Sequence, residues 1–277
     1  MTVLITGTSG FIGKELAIAL HRERDIVCLS RGRAPFDDIP FVQGSFDRFE
    51  DLRGLDRYDI SAVVHLAAVT GGCSEEDGLS VNVLGTRRLY RYLLDRGCRK
   101  LITASSIAAV GCLSPDFMPS ELPIPDDHPC LAEDAYGFSK ATVEELTRYF
   151  YRSHPDADFV NLRFGAVVDE QWTLPDSDTP ATLPFVQLAH VYVSDILGAL
   201  HSVLASPPKP GVRICNVVGP EASCRAPVTD ALNAAFGERG SPCDLSYFRQ
   251  PGHERKPIYS MEGMQREFGF EPQRRFT

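Results

Sequence analysis

Tyr136 and Lys140, in the segment YGFSK, stand four residues apart, so on a helix they share one face about one turn from each other. A phenol with a pKa near 10 is a poor acid or base at neutral pH, whereas a neighbouring ammonium favours the phenolate. The spacing therefore predicts a tyrosine drawn toward working range by its lysine. Such a pair is structural in most helices, and its surroundings give it meaning. Ser105 and Ser106 close the run LITASS, and a serine hydroxyl at the carboxyl end of a strand can donate a hydrogen bond to a carbonyl oxygen as charge develops there. The residues alone leave either serine eligible.

A second constellation lies at the start of the chain. Gly7, Gly10 and Gly13 in TGTSGFIG follow an apolar run and open an amphipathic one, with Thr8, Ser9, Phe11 and Ile12 between them. Glycines there allow a tight turn and close backbone approach to a pyrophosphate, which the unpaired N–H groups of a helix start would hold. The spacing is G-x-x-G-x-x-G rather than G-x-G-x-x-G. About 20 residues on, where an acid would mark an NAD site, the sequence CLSRGR offers Ser30, Arg31 and Arg33 and no carboxylate. A planar guanidinium suits a 2′-phosphate, so NADP is the expected cofactor, with NAD the alternative.

Positioning these groups requires strands and helices in alternation. Short β-branched runs at 3–6, 26–30, 41–42, 62–67, 101–104, 159–163 and 214–218 are continuous rather than alternating, as strands buried on both faces should be. Between them, Ile12, Leu16, Ala19 and Leu20, Leu89 with Leu93, and Val143, Leu146 and Phe150 carry helical spacing. This predicts an α/β fold with a parallel sheet covered on both faces. Residues 112–134, with Pro115, Pro119, Pro123, Pro125 and Pro129, and residues 169–187 read as long loops. The expected division is a dinucleotide-binding unit over 1–168 and 188–218 and a small cap over 169–187 and 219–277.

Composition narrows the classes further. The chain has 277 residues, 43% hydrophobic and 23% charged, which excludes wholesale disorder. Its 28 Lys+Arg against 37 Asp+Glu give a net charge of −9, which argues against nucleic acid or an anionic membrane as partner. No apolar run reaches a membrane span and no basic segment precedes a signal core, so a cytoplasmic protein is expected. The eight cysteines form no C-x-x-C pair and read as reduced thiols, and no metal is assigned.

In order along the chain, TGTSGFIG, VVHLAA, NVLGT, SSIAAVG, YGFSK, LRFGAV, HVYVSDI and ICNVVGP resemble an extended short-chain dehydrogenase/reductase of the NAD-dependent epimerase/dehydratase family. That resemblance implies a Rossmann-type doubly wound sheet with a small C-terminal substrate-binding cap. It implies Tyr136 as proton donor or acceptor at a substrate oxygen, Lys140 tuning it and holding the nicotinamide ribose, and Ser106 as the serine that orients the substrate. It also implies Leu66, Ala67 and Ala68 beside the cofactor, Ser45 and Phe46 near the adenine, and Asn82 bracing the helix against the active-site strand. The helices at 79–97 and 135–153 are expected to pair in a homodimer. Val110, Phe164 and Ser45 stand where the family usually has an aromatic residue, a proline and an acid. None of these departures removes a reacting group.

The expected function is NADP-dependent hydride transfer to or from a carbonyl, with a nucleotide-activated keto-sugar as substrate. The alternatives are a nucleotide-sugar epimerase and, in another class, a non-catalytic NADP-sensing protein. Steroid- or flavonoid-type ketones are a further substrate class. Arg213, Arg225, Arg255 and Lys256 are candidates for gripping a diphosphate, or plain surface charge. His65, inside an apolar run, reads as a hydrogen-bonded core residue, and Ser194 with Asp195 reads as a helix cap.

Overall fold

The computed structural model describes residues 2–32, 37–176, 182–237 and 243–277. Seven parallel strands form one sheet in the order β3-β2-β1-β4-β5-β6-β9. They are β1 (Thr2–Thr6), β2 (Ile26–Ser30), β3 (Phe41–Gln43), β4 (Ile60–His65), β5 (Lys100–Ser106), β6 (Asp158–Phe164) and β9 (Gly211–Val217). The seven correspond to the seven β-branched runs. The order reverses between β1 and β4, so the crevice outside their carboxyl ends is the switch point where such sheets bind ligands.

Two apolar layers explain why the runs are continuous. On one face, Val3, Ile5, Val64, Ile102 and Leu162 pack with Leu16 and Leu20 of α1 (Phe11–His21) and with Ile196, Leu200 and Val203 of α7 (Val193–Ala205). On the other, Leu4, Val27, Val63, Leu101 and Phe159 pack under Leu89 and Leu93 of α4 (Thr86–Asp95) and Phe150 of α5 (Ala135–Ser153). Alternate residues of one strand serve opposite layers, as the pleat requires. Ahead of α4, the short α3 (Glu75–Asp77) runs into a π-helical stretch, Gly78–Gly85. A short α2 (Phe49–Leu52) follows β3.

A third apolar cluster joins Ile107, Val110, Phe117 and Ile124 with α6 (Pro184–Gln187), α8 (Val228–Phe236) and Phe248, Ile258 and Tyr259. The proline-rich 112–134 segment is irregular, but its Phe117 and Ile124 are buried in that cluster. Two three-residue strands absent from the sequence expectation, β7 (Ala166–Val168) and β8 (His190–Tyr192), pair in parallel beside it, and α9 (Glu262–Phe268) lies against β9.

The capping role expected at α7 is not what the structure shows. Tyr192 is its N-cap and makes no side-chain capping bond, while the Ser194 N–H donates to Glu170 Oε1 at 3.0 Å. The Asp195 carboxylate instead accepts the backbone N–H groups of Gln273 and Arg274, at 2.8 and 3.1 Å, and so ties the carboxyl-terminal segment to α7.

Candidate active site

The glycine turn sits on β4 with no room to spare. Gly7 has φ +76°, and a Cβ there would stand 2.7 Å from the Ala67 nitrogen, while one at Gly13 would meet the Gly7 oxygen at 2.3 Å. Larger residues are excluded at both positions. Helix α1 starts with Gly10 as N-cap, with no side-chain cap and no acid in its first turn, so its N–H groups face outward for an anion.

In front of the turn lies a groove of about 360 Å³, lined among others by Gly7, Ser9, Gly10, Phe11, Ile12, Gly13, Ser30, Arg31, Ser45, Phe46, Leu66, Ala67 and Ala68. These sequence-predicted positions are brought together. Thr8 is not: it is buried and absent from the lining. Arg33 lies outside the described residues. The groove also reveals Asp47, two residues after the position where the acid was sought. Its Oδ1 is buried without a hydrogen-bond partner and its carbonyl accepts from Arg88. A carboxylate in the sequence QGSFD was the available signal.

Ser106, Tyr136 and Lys140 are absent from this lining; they meet next to Ala104, which belongs to it and whose carbonyl Lys140 contacts. Asp134 caps α5 by accepting the Gly137 N–H at 2.8 Å. A Cβ on Gly137 would come within 2.5 Å of the Ala108 oxygen, so the first turn of α5 is pressed against the turn that follows Ser106. Asn82 ties its helix to the segment after β4 and to α5 rather than to the strand of Ser106: its amide clasps the backbone of Val69 on both sides and donates to the Ser139 hydroxyl at 2.9 Å, which in turn donates to the Tyr136 carbonyl. Lys140, only 6% exposed, donates from Nζ to the Ala104 carbonyl at 2.7 Å, with Nζ 5.6 Å from the centre of the Tyr136 ring.

The electrostatics correct one expectation. Burial pushes the Tyr136 phenol above its ordinary pKa; the Ser106 hydroxyl pulls it back in part, while Cys73, Asp134 and Cys112 add to the rise. Lys140 is desolvated as well, burial lowering its pKa to about 8 against the opposing pull of Glu144 and Cys73. The resting tyrosine is a protonated phenol at neutral pH, the form that donates. His65 is held between the Thr6 and Thr86 hydroxyls, at 2.7 and 2.9 Å, and burial drops its pKa to about 3. It is a neutral core residue, as expected.

The structure separates the two serines. Ser106 ends β5, accepts the Ala108 N–H at 3.1 Å and interacts with the Tyr136 phenol. Ser105 is buried on the other side of the strand and donates to Glu144 Oε1 at 2.6 Å.

The carboxyl-terminal cations do not converge on the trio. Arg213 pairs with Asp158, the first residue of β6, toward the amino edge of the sheet. Arg255 pairs with Glu221 at 3.2 Å, and Arg225 donates to the Leu174 carbonyl at 3.3 Å. Lys256 is exposed. Among the described residues no group of three or more His, Cys, Asp or Glu could hold a metal ion, and no helix is long and apolar enough to cross a membrane.

Comparison with known proteins bears on the family and the fold. A sequence model described as the NAD dependent epimerase/dehydratase family matches residues 3–179. A UDP-glucose 4-epimerase from Cyamopsis tetragonoloba is 24% identical over 220 residues, covering 67% of this chain and 59% of the relative. A dTDP-4-dehydro-6-deoxyglucose reductase from Escherichia coli is 25% identical over 217 residues, covering 72% of this chain and 66% of the relative. The matched part thus spans about half to two thirds of the length of such curated relatives. Among solved structures, the UDP-glucose 4-epimerase of Bifidobacterium longum, in complex with NAD+ and UDP, superposes with a TM-score of 0.73 at 19% identity, covering 99% of this chain and 94% of that one. A short-chain dehydrogenase/reductase superfamily protein from Agrobacterium tumefaciens with bound NAD gives 0.72 at 22% identity, covering 99% and 93%.

Proposed function

This chain belongs to the NAD dependent epimerase/dehydratase family, and on that premise we propose that it is a cytoplasmic NADP-dependent oxidoreductase acting on the carbonyl of a nucleotide-activated keto-sugar. The observation that carries the reading is the meeting of Ser106, a protonated Tyr136 and a buried Lys140 beside Ala104, which lines the groove in front of the glycine turn.

A dinucleotide fits the residues present. Glycines 7 and 13 leave backbone where a Cβ would stand, α1 offers an uncapped start for the pyrophosphate, and the unpartnered Asp47 carboxylate oxygen is an acceptor for an amine at the base end. When bound, the group accepts or supplies the hydride. The chain does the rest. Ser106 donates to the carbonyl oxygen as it gains charge, and Tyr136 delivers the phenol proton to that oxygen in the reducing direction or takes it back in the oxidising one. Lys140, fixed to the Ala104 carbonyl, presents its charge to the phenol and to the ribose beside it. Ser30 and Arg31 at the end of β2, with no carboxylate beside them, favour the 2′-phosphate form.

The sugar substrate rests on the relatives: the Escherichia coli protein is by name a reductase of a dTDP-keto-sugar. Residues 169–187 and 219–277 are the substrate cap in this reading, with 177–181 and 238–242 outside the described residues. Exposed Leu79, Leu84, Phe138 and Tyr149 on the helices at 79–97 and 135–153 favour the homodimer. A second reading, an epimerase that returns the hydride to the opposite face, is favoured by the recurrence of UDP-glucose 4-epimerase among the relatives.

The test is turnover on a panel of UDP- and dTDP-linked keto-sugars with NADPH or NADH, with Tyr136→Phe in parallel. The expected result is NADPH-dependent reduction that falls by about 100-fold or more in the variant, the usual scale for a lost general acid. Turnover without added dinucleotide, by protein that purifies with it bound, selects the epimerase. Conversion unaffected by Tyr136→Phe overturns both.

A further inference from the structure

Directly behind the trio lies an ion pair that takes no part in the chemistry above. Glu144 and Arg163 have side-chain exposures of 0% and 2%, and Arg163 Nη2 stands 2.8 Å from Glu144 Oε2. Resting on the enzymatic reading, we propose that this pair is a positioning clamp, fixing the strand end that carries Ser106 to the helix that carries Tyr136 and Lys140, and tying both to the 126–130 segment.

Beyond the bonds within the pair, its hydrogen bonds reach β5 and the 126–130 segment. Glu144 Oε1 accepts from Ser105 Oγ at 2.6 Å and from Arg163 Nε at 2.8 Å. Its Oε2 accepts from Arg163 Nη2 at 2.8 Å and from the Cys130 thiol at 3.6 Å. Arg163 Nη1 donates to the carbonyls of Asp126 and His128, at 3.1 and 3.3 Å. Asp126 is anchored in turn, its carboxylate accepting the N–H groups of Asn216 on β9, at 2.6 Å, and Gly263 on α9, at 3.0 Å. Four segments thus meet at one bidentate contact: β5 one residue before Ser106, α5 one turn after Lys140, β6, and the segment over it. Ser105 and Arg163 are also direct register partners in the sheet, so the clamp reinforces a ladder already present.

A buried pair of this kind is a weak source of stability, since apolar residues of similar size often replace one at no cost. Its fork geometry does fix direction, because two parallel N–H···O bonds leave the carboxylate no freedom to rotate. Set one turn from Lys140, it holds the lysine's helix at a defined distance from the strand end. The groups facing Lys140 are Glu144 and Tyr136 from its own helix, His65 from β4, and Cys73 from the segment after β4. His65 is neutral, and Glu144 is the first-named group opposing the lysine's loss of solvent.

The test uses Glu144→Met/Arg163→Met, which removes both charges together and so leaves neither buried alone, and Ser105→Ala, which cuts one tie and keeps the pair. The clamp predicts that the double variant unfolds cooperatively and binds dinucleotide within about twofold of the parent, while kcat falls by about 100-fold, the scale of an ångström-sized misplacement. It also predicts a lower Lys140 titration midpoint, by about tenfold in proton affinity, read by NMR on 15N-lysine-labelled protein with no substrate present, and about fivefold lower kcat in Ser105→Ala. A double variant that keeps parental kcat and an unmoved Lys140 midpoint overturns the clamp even where Tyr136→Phe is inactive. Parent protein that turns over no substrate overturns the enzymatic reading, and the midpoint together with amide exchange at Ser105 and Ser106 then still decides the clamp: unchanged values refute it.

Discussion

The two sides of the end of β5 are built from the same residue types and treated oppositely. On one side Ser105, Glu144 and Arg163 saturate one another in a nearly solvent-free interior. On the other Ser106, Tyr136 and Lys140 hold protons and charges with capacity left over: a phenol kept protonated by burial and a lysine brought down to about 8. Adjacent positions on a strand point to opposite faces, so a one-residue step separates the serine bonded to Glu144 from the one beside the Tyr136 phenol. Mutually saturated polar groups hold the structure, whereas a phenol and a lysine with burial-shifted pKa values next to a groove mark the candidate site.

The saturated side should break hardest. Arg163→Met leaves the Glu144 carboxylate buried with its main donor gone, and removing one partner of such a pair costs about 3–5 kcal/mol, against roughly no change when both are replaced. Denaturant unfolding of the single and double variants measures the difference; equal losses would show that packing, not pairing, sets the stability there. The second largest effect belongs to the seam between the sides. A Cβ at Gly137 would strike the Ala108 oxygen at 2.5 Å and the Ala132 Cβ at 2.7 Å, so Gly137→Ala must lift the first turn of α5 away from Ser106. Turnover should fall by about 100-fold, and dinucleotide binding, governed by the distant glycine turn, should change little.

The open side was largely legible in the sequence and the closed side was not. YGFSK, the strand-end serines and TGTSGFIG announced their chemistry because a turn or a helical period fixes their geometry locally. The residues alone left both serines eligible and only the family resemblance selected Ser106, since the distinction depends on the side of the strand Glu144 approaches. Glu144 did carry a signal: it lies four residues after Lys140, on a helix face that must be buried, and a carboxylate there needs a partner. That the partner is Arg163 depends on strand register. Asp195 was misread for the same reason, its partners lying 78 and 79 residues away. The direction of the Tyr136 shift was misjudged because spacing reveals a neighbouring charge but not how much water both groups have lost.

The lysine gives the comparison a pH axis. Its pKa of about 8 in the folded protein lies below the ordinary 10.5, so the unfolded chain binds more protons between those values. Activity that needs the ammonium should fall by about tenfold per unit above pH 8, while the contribution of Lys140 to stability rises over the same range. A kcat/KM profile and unfolding at matched pH values measure the two trends. Lys140→Met should abolish the second; parallel trends in the parent would mean that a different group governs one of them.

The smallest expected effect lies at the far end of the groove, where Arg31 is exposed. If the open side continues to the adenosine end, the guanidinium is there for a phosphate, and Arg31→Ala should weaken NADPH binding by about tenfold and leave NADH binding unchanged. That figure is well below what a buried bidentate contact contributes, because solvent screens an exposed one. The related structures with bound NAD set the contrast: a pair of titrations that favours NADH and ignores the substitution would place Arg31 with the solvated surface charges, and would leave the unpartnered Asp47 carboxylate oxygen as the polar feature of that end of the groove.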